Sequence, residues 1–288
     1  MNRRSFLICS LMVCLCRGAA GAPPDSVARM VSDVESIQAG QPFAIGVLIA
    51  LPGKWHTYWM NPGDSGMAPE MEWRLPEGFT AGPIQWPCPR RFDESSLVTF
   101  GYERQVLLFR EIQPPANLAT GRTFAIQVRA SWLICDGMCV PRTASLELAL
   151  PSRAERATVS AAQPLFAQAR EEVPLADPAW TFRTVADEKT VTLCVKPPAG
   201  VSDRAMARCL FYPAQRDLVN YGPQTWARQG SEFCLGMDRF AGAGALPGRL
   251  AGVLVVPCRW PSHAMAKAVD VALPSRARDG AAAGDGSR

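Results

Sequence analysis

Histidine is scarce in this sequence, with two in 288 residues, His56 and His263. A metal site built on several imidazoles is thereby excluded. Beyond residues 1–22, no apolar run approaches the roughly 18–20 residues that cross a bilayer. The best candidates, residues 43–51 and 250–256, are strand-sized. An excess of one charge is missing too. Taking away Arg3, Arg4 and Arg17 brings the formal balance from +4 to +1, so nothing suggests a nucleic-acid or anionic-membrane surface. G-x-S-x-G, H-E-x-x-H and a phosphate-binding loop are all absent, which leaves hydrolase and nucleotide-binding readings without support. No cofactor and no resident metal are expected.

What is present begins with M-N-R-R-S-F-L-I-C-S-L-M-V-C-L-C-R-G-A-A-G-A, residues 1–22. Two arginines, an apolar core and small residues near Ala20 and Ala22 have the layout of a secretory signal peptide. Acylation of Cys14 or Cys16 is the weaker reading, because neither follows a small residue. Export places the chain in an oxidising compartment, where thiols pair. The remaining length of about 265 residues suits two domains. Pro and Gly make 48 of 288 residues beside 48% apolar content, which fits many turns rather than disorder.

Over 25–151 the pattern is short strands between turns, at 42–51, 55–59, 70–75, 106–113, 122–134 and 143–150, separated by P-G-K, N-P-G-D-S-G, P-E-G and P-P-A-N. This predicts a β-sandwich. Residues 152–174 are rich in Ala, Arg and Glu and read as a helical connector interrupted at Pro164. Strand signals return over 175–274, at 180–186, 190–196, 208–212, 232–235, 250–258 and 268–273, as a second β-sandwich. The last residues, 275–288, carry nothing that builds a core and read as disordered. The expected class is all-β, two sandwiches joined by a short helical connector.

The stretch that carries chemistry is S-W-L-I-C-D-G-M-C-V-P, residues 131–141. Side chains alternate faces along a strand. Ile126, Val128, Ala130, Trp132 and Ile134 therefore share an apolar face, and Cys135 falls with Gln127 and Arg129 on the other. Counting back from Thr143, Ser145 and Glu147 puts Cys139 on the polar side as well. Asp136-Gly137-Met138 has hairpin-loop length, and Gly137 supplies a positive φ. The two cysteines should then face each other across adjacent strands. Pro141 cannot donate to a ladder, so its strand is an edge or ends near there. A link enclosing about five residues is worth only about 2 kcal/mol, so a staple gains little. An accessible bond of this kind exchanges readily. Spacing and parity leave a redox pair, a staple and half a metal site all open.

These residues resemble the periplasmic amino-terminal region of the DsbD family of thiol:disulfide interchange reductases, in particular the branch related to the ScsB copper-tolerance proteins. The carrying motifs are G-K-W-H-T-Y-W-M-N-P-G-D-S-G (53–66), P-I-Q-W-P (83–87), F-G-Y-E (100–103) and the cysteine hairpin. The resemblance implies a periplasmic, immunoglobulin-like domain in which Cys135 and Cys139 relay electrons to oxidised proteins, with a link to copper or oxidative stress. It also implies a loop that covers the pair, here around 92–102, with Phe92, Phe100 and Tyr102 as candidates. The family's membrane-spanning and thioredoxin-like parts find no counterpart in the motifs, so electrons would come from a separate membrane donor, and partners would be thioredoxin-like proteins. Cys139→Ser is the natural trap for such a partner. The competing reading is a non-catalytic binding module, for a protein or Cu(I), with a structural disulfide.

Four cysteines of the second domain, Cys194, Cys209, Cys234 and Cys258, are candidates for two structural disulfides in any of three connectivities. Cys88 is left over. His56 reads as a packing residue, although Met60, Met67 and Met71 nearby make a soft Cu(I) site the alternative. Asp136 would disfavour a neighbouring thiolate and Arg142 would favour one.

Overall fold

Short runs of β-branched and aromatic residues between turns form strands throughout the computed structural model, which describes residues 27–94, 96–256 and 265–273. The expected leader and tail, Cys258 and His263 lie outside the described residues. In chain order the first sandwich holds β1 (Val27–Ser32), β2 (Phe43–Ala50), β3 (His56–Gly63), β4 (Glu70–Arg74), β5 (Thr80–Ala81), β6 (Arg90–Glu94), β7 (Leu97–Glu103), β8 (Gln105–Gln113), β9 (Thr123–Asp136) and β10 (Met138–Pro151). One sheet runs β1-β2-β8-β5. The other runs β10-β9-β3-β7-β6, with β4 added beside β9. The strand with Pro141, β10, is the sheet's edge, as a residue without an N–H requires.

The alternation read from β9 holds. Ile126, Val128, Ala130, Trp132 and Ile134 are buried, and Gln127 and Arg129 are exposed. Val128, Ala130, Trp132 and Ile134 meet Val47, Ile49, Val106 and Leu108 from the facing sheet. Strand β2 does not alternate and is buried on both faces. Its outer face is covered by α1 (Gln163–Glu172), whose Phe166 and Ala169 pack with Ala44, Leu48, Leu107 and Phe109. The unbroken apolar run of residues 43–49 is thus a strand with a helix on one side and a sheet on the other.

The connector is helical only over α1. Pro164 does not interrupt that helix; it sits in the first turn, where the missing N–H has no intrahelical acceptor to lose. The residues before it run extended along the first sandwich, with Ser152 bridged to Ile37 and Val159 to Val34. The β-branched Thr158-Val159 pair marks that segment. Arg170 clamps the helix by pairing with Asp33 at 2.8 Å.

The second sandwich is built from β11 (Thr181–Ala186), β12 (Thr190–Lys196), α2 (Asp203–Met206), β13 (Leu210–Pro213), β14 (Trp226–Gln229), β15 (Glu232–Asp238), β16 (Arg249–Val256) and β17 (Met265–Ala272). Its sheets run β11-β12-β15-β14 and β13-β16-β17.

The two sandwiches share one core. Opposite β7, Tyr58 pairs with Gly101 but Gly63 pairs with Thr99, so the stretch 59–62 bulges out of the ladder. The bulge reaches the second sandwich. Trp59 meets Tyr212 edge-on at 6.5 Å. Asn61 is fully buried; its amide donates to Pro213 O at 2.7 Å, to Gln215 O at 3.2 Å and to the Tyr221 hydroxyl at 3.1 Å. An amide buried this deeply would be costly without those partners. N-P-G-D-S-G is therefore more than a local turn, because its asparagine ties the domains together.

Candidate redox site

The β9–β10 hairpin turns at Gly137, whose φ of 70° only glycine adopts without strain. Asp136 and Met138 face each other across it, and Cys135 lies directly opposite Cys139. The pair is disulfide-bonded with Cα atoms 4.2 Å apart. The parity argument put both sulfurs on the solvent side, and here the structure differs. Cys139 is exposed, but Cys135 is only 3% exposed. Neighbouring β3 covers it from the side.

His56 on β3 is the direct partner of Cys135. Tyr58, two residues on and so on the same face, donates its hydroxyl to Cys135 Sγ at 2.8 Å and lies 3.5 Å from Cys139 Sγ. Burial, reinforced by the Glu94 carboxylate, pushes the phenol up to about 12. It keeps its proton at any physiological pH and acts as a donor toward sulfur. Gly66 closes this pocket from above: a Cβ there would stand 2.2 Å from the Tyr58 ring. Sequence reasoning assigned Tyr58 no role. The available signal was its parity with His56; its meaning depended on β3 lying beside β9.

A donor aimed at the leaving sulfur favours its thiolate, and hydrogen bonds to charged groups are worth about 1.5–3 kcal/mol. Tyr58→Phe is therefore expected to slow reduction of the Cys135–Cys139 bond about 10- to 100-fold. Stopped alkylation over a dithiothreitol time course reads the rate.

The hairpin β6–β7 stands over His56. Phe92 stacks on the imidazole, centroids 4.7 Å apart, while Tyr58 meets the imidazole edge-on at 5.3 Å. Of the three residues proposed to shield the pair, Phe92 alone stands here. Phe100 is buried against the second sandwich, 5.1 Å from both Tyr212 and Tyr221. Tyr102 is buried and donates to Pro87 O at 2.8 Å. Both belong to the inward face of β7.

His56 is 3% exposed, its Nδ1 is 3.8 Å from Glu94, and its Nε2 makes no hydrogen bond among the described residues. Burial pushes its pKa below the ordinary 6.5, against the opposite pull of Glu94, Asp136 and Glu103. An imidazole that refuses a proton when folded accepts one when unfolded, so its contribution is whole above pH 6.5 and is lost as the pH falls below it. Between about pH 7.5 and about pH 5.5 the urea midpoint should drop more for the natural protein than for His56→Gln.

Other candidates separate from the site. Arg142 lies opposite Trp132, on the face away from the sulfurs, and is not placed to favour a thiolate there. Met60 and Met67 are exposed and Met71 is half-buried on β4. Cys88 is half-buried; its burial, with Glu172 nearby, pushes its thiol up to about 12, so it stays protonated. Cys194 pairs with Cys234, while Cys209 is buried, its sulfur 3.4 Å from Ala205 O. Among the described residues, one group of three potential metal ligands lies together, Cys194, Glu232 and Cys234. Its sulfurs are bonded to each other and Glu232 pairs with Arg183 at 2.6 Å, which leaves no thiolate to offer. Among the described residues no helix is long and apolar enough to cross a membrane.

Residues 26–151 match the family described as thiol:disulfide interchange protein DsbD, N-terminal. Among solved structures, the N-terminal periplasmic domain of ScsB from Proteus mirabilis superposes with a TM-score of 0.62 at 20% identity, over 85% of this chain and 92% of that one. That likeness shows that the fold extends through both sandwiches. A C-terminal fragment of the major pilin GBS80 of Streptococcus agalactiae aligns over 85% of this chain and 91% of its own, with a TM-score of 0.25 and 8% identity, too little to carry an argument. No curated protein matches the sequence.

Proposed function

We propose, from the match of residues 26–151 to the DsbD amino-terminal family, that the chain exchanges thiols and disulfides with partner proteins in the periplasm through Cys135 and Cys139. The observation that carries this is the asymmetry of the pair: one exposed sulfur, Cys139, and one buried under a phenol, Cys135. A staple has no use for a hydrogen-bond donor directed at its sulfur.

When a partner dithiol reduces the bond, its thiolate attacks Cys139 Sγ, the sulfur that solvent reaches. The S–S bond breaks and its electron pair leaves on Cys135 Sγ, where Tyr58 donates to the new thiolate. The partner's second thiolate then attacks its own sulfur in the mixed disulfide and frees Cys139. Two electrons pass to the pair, and the protons released by the two partner thiols match those taken up by the two cysteines. Run backward, Cys139 attacks an oxidised partner and Cys135 resolves the intermediate. Thioredoxin-like proteins fit as partners because their active sites offer an exposed dithiol in this chemistry. The electron source we assign to a separate membrane protein.

The test is the reduction potential of the pair. The protein is equilibrated in dithiothreitol or glutathione buffers and the alkylation of Cys135 and Cys139 is read by mass spectrometry. A value between about −270 mV and about −120 mV, the span from thioredoxin to the strong periplasmic oxidants, is expected. A bond that stays closed well below about −300 mV would make it structural, and the chain a binding module.

A further inference from the structure

The hairpin β6–β7 has two faces, and each reports to a different domain. Across the hairpin Arg91 pairs with Phe100, and Phe92 with Thr99. Cross-strand partners share a face, and neighbouring pairs alternate. Phe92 is directed at the site and stacks on His56, the residue opposite Cys135. Arg91 and Phe100 are directed at the second sandwich.

The contacts there are specific. Phe100 sits between Tyr212 and Tyr221, edge-on to each. The Arg91 guanidinium is held by both Asp93 carboxylate oxygens, and its Nη1 donates to Gly222 O at 3.3 Å. Tyr221 is fixed in turn by Asn61, with which its hydroxyl shares two bonds at 3.1 and 3.2 Å, and by the Asp217 N–H at 3.3 Å. Among the described residues β6 has β7 as its only strand partner. An edge strand held on one side is free to peel unless something else retains it. Here that retention comes from the second domain.

We infer that the second sandwich is a positioning element of the redox site: through Tyr212, Tyr221 and Gly222 it holds the base of the β6–β7 hairpin, and so sets how firmly Phe92 stays stacked on His56, beside the buried Cys135 half of the Cys135–Cys139 bond. The inference rests on the reading of that bond as the exchanging one. It gives the second domain a task in the chemistry although, among the described residues, none of its side chains bonds to the sulfurs. Arg91, Phe100, Tyr212 and Tyr221 are positioning residues, and Asn61 links them to β3, the strand that carries His56 and Tyr58.

The experiment measures the rate at which dithiothreitol reduces Cys135–Cys139 in the full two-domain protein, by quenched alkylation and mass spectrometry. Tyr221→Phe keeps the ring and removes the hydroxyl; Arg91→Ala removes the bond to Gly222 and keeps every aromatic ring. Each is expected to speed reduction about fivefold, the worth of one hydrogen bond. Phe92→Ala should speed it at least as much. In a Phe92→Ala background neither variant should add anything, because the stacked ring they restrain is gone. Unchanged rates in both single variants would overturn the inference. So would an equal acceleration with and without Phe92, which is the mark of general loosening. Failure of Phe92→Ala itself to accelerate would remove the role of Phe92 and the inference together. A natural-protein bond that opens only in denaturant would instead overturn the redox reading beneath both.

Discussion

Cys135→Ser is expected to abolish turnover and to accumulate a covalent complex in which an oxidised partner is held on Cys139. Cys139→Ser abolishes turnover too but accumulates no complex. The difference follows from exposure. In Cys135→Ser the remaining thiol is the one that solvent and partner reach, and it attacks the partner's disulfide. The resolving sulfur is then absent, and the mixed disulfide persists. In Cys139→Ser the remaining thiol is 3% exposed, beneath Tyr58 and beside His56. A sulfur enclosed in this way cannot align with an incoming disulfide. Non-reducing electrophoresis of each variant mixed with an oxidised thioredoxin-like protein checks the outcome. Equal trapping by both variants would show that the enclosure opens fully in solution. Trapping by Cys139→Ser alone would reverse the assigned roles.

That assignment reverses the trap suggested by the sequence, and the reason is physical. Parity reports which side of a sheet a residue lies on, not what lies over that side. Cys135 and Cys139 are on the same side, as the spacing predicts, and face each other as the loop length predicts. What distinguishes them is β3, which pairs with β9 at His56 and Cys135 across 79 residues of sequence. Local patterns carry no record of such a pairing. The same holds for Tyr58, whose neighbours in W-H-T-Y-W make it look like packing until its hydroxyl is seen on a sulfur.

The β6–β7 hairpin illustrates a different limit. R-R-F-D-E-S-S-L-V-T-F has too few apolar positions to read as two strands, because one of its faces lies against another domain and the other over a histidine. Each face is selected by contact with a particular partner and not by burial in a common core. Asn61 shares this property. Its segment was legible as a structured turn, while its hydrogen bonds to Pro213, Gln215 and Tyr221 belong to residues more than 150 positions away. By contrast, the alternation of β9, the edge position of Pro141 and the two-sandwich organisation were legible, since each rests on period-2 burial or on backbone chemistry alone.

The second disulfide should behave oppositely to the first, and the contrast bears on function. Cys194 and Cys234 are also direct cross-strand partners, on β12 and β15. Both are 3% exposed, and these strands are the inner two of a four-stranded sheet. Their separation is 40 residues against 4 for the hairpin pair. By loop entropy, closing about 40 residues is worth about 4 kcal/mol, twice the value for a five-residue loop. Replacing Cys194 and Cys234 together by alanine should thus lower the urea midpoint by about 2 M, at a slope of about 2 kcal/mol/M. It should leave the dithiothreitol rate at Cys135–Cys139 within about twofold, as the two sites share no contact. In the natural protein, dithiothreitol that opens the hairpin pair should leave Cys194–Cys234 closed until the second sandwich unfolds. Simultaneous opening of both bonds without denaturant would break this division of labour. Two bonds with the same cross-strand placement then differ in purpose because one links distant chain inside a sheet, whereas the other closes a turn and presents a sulfur to solvent.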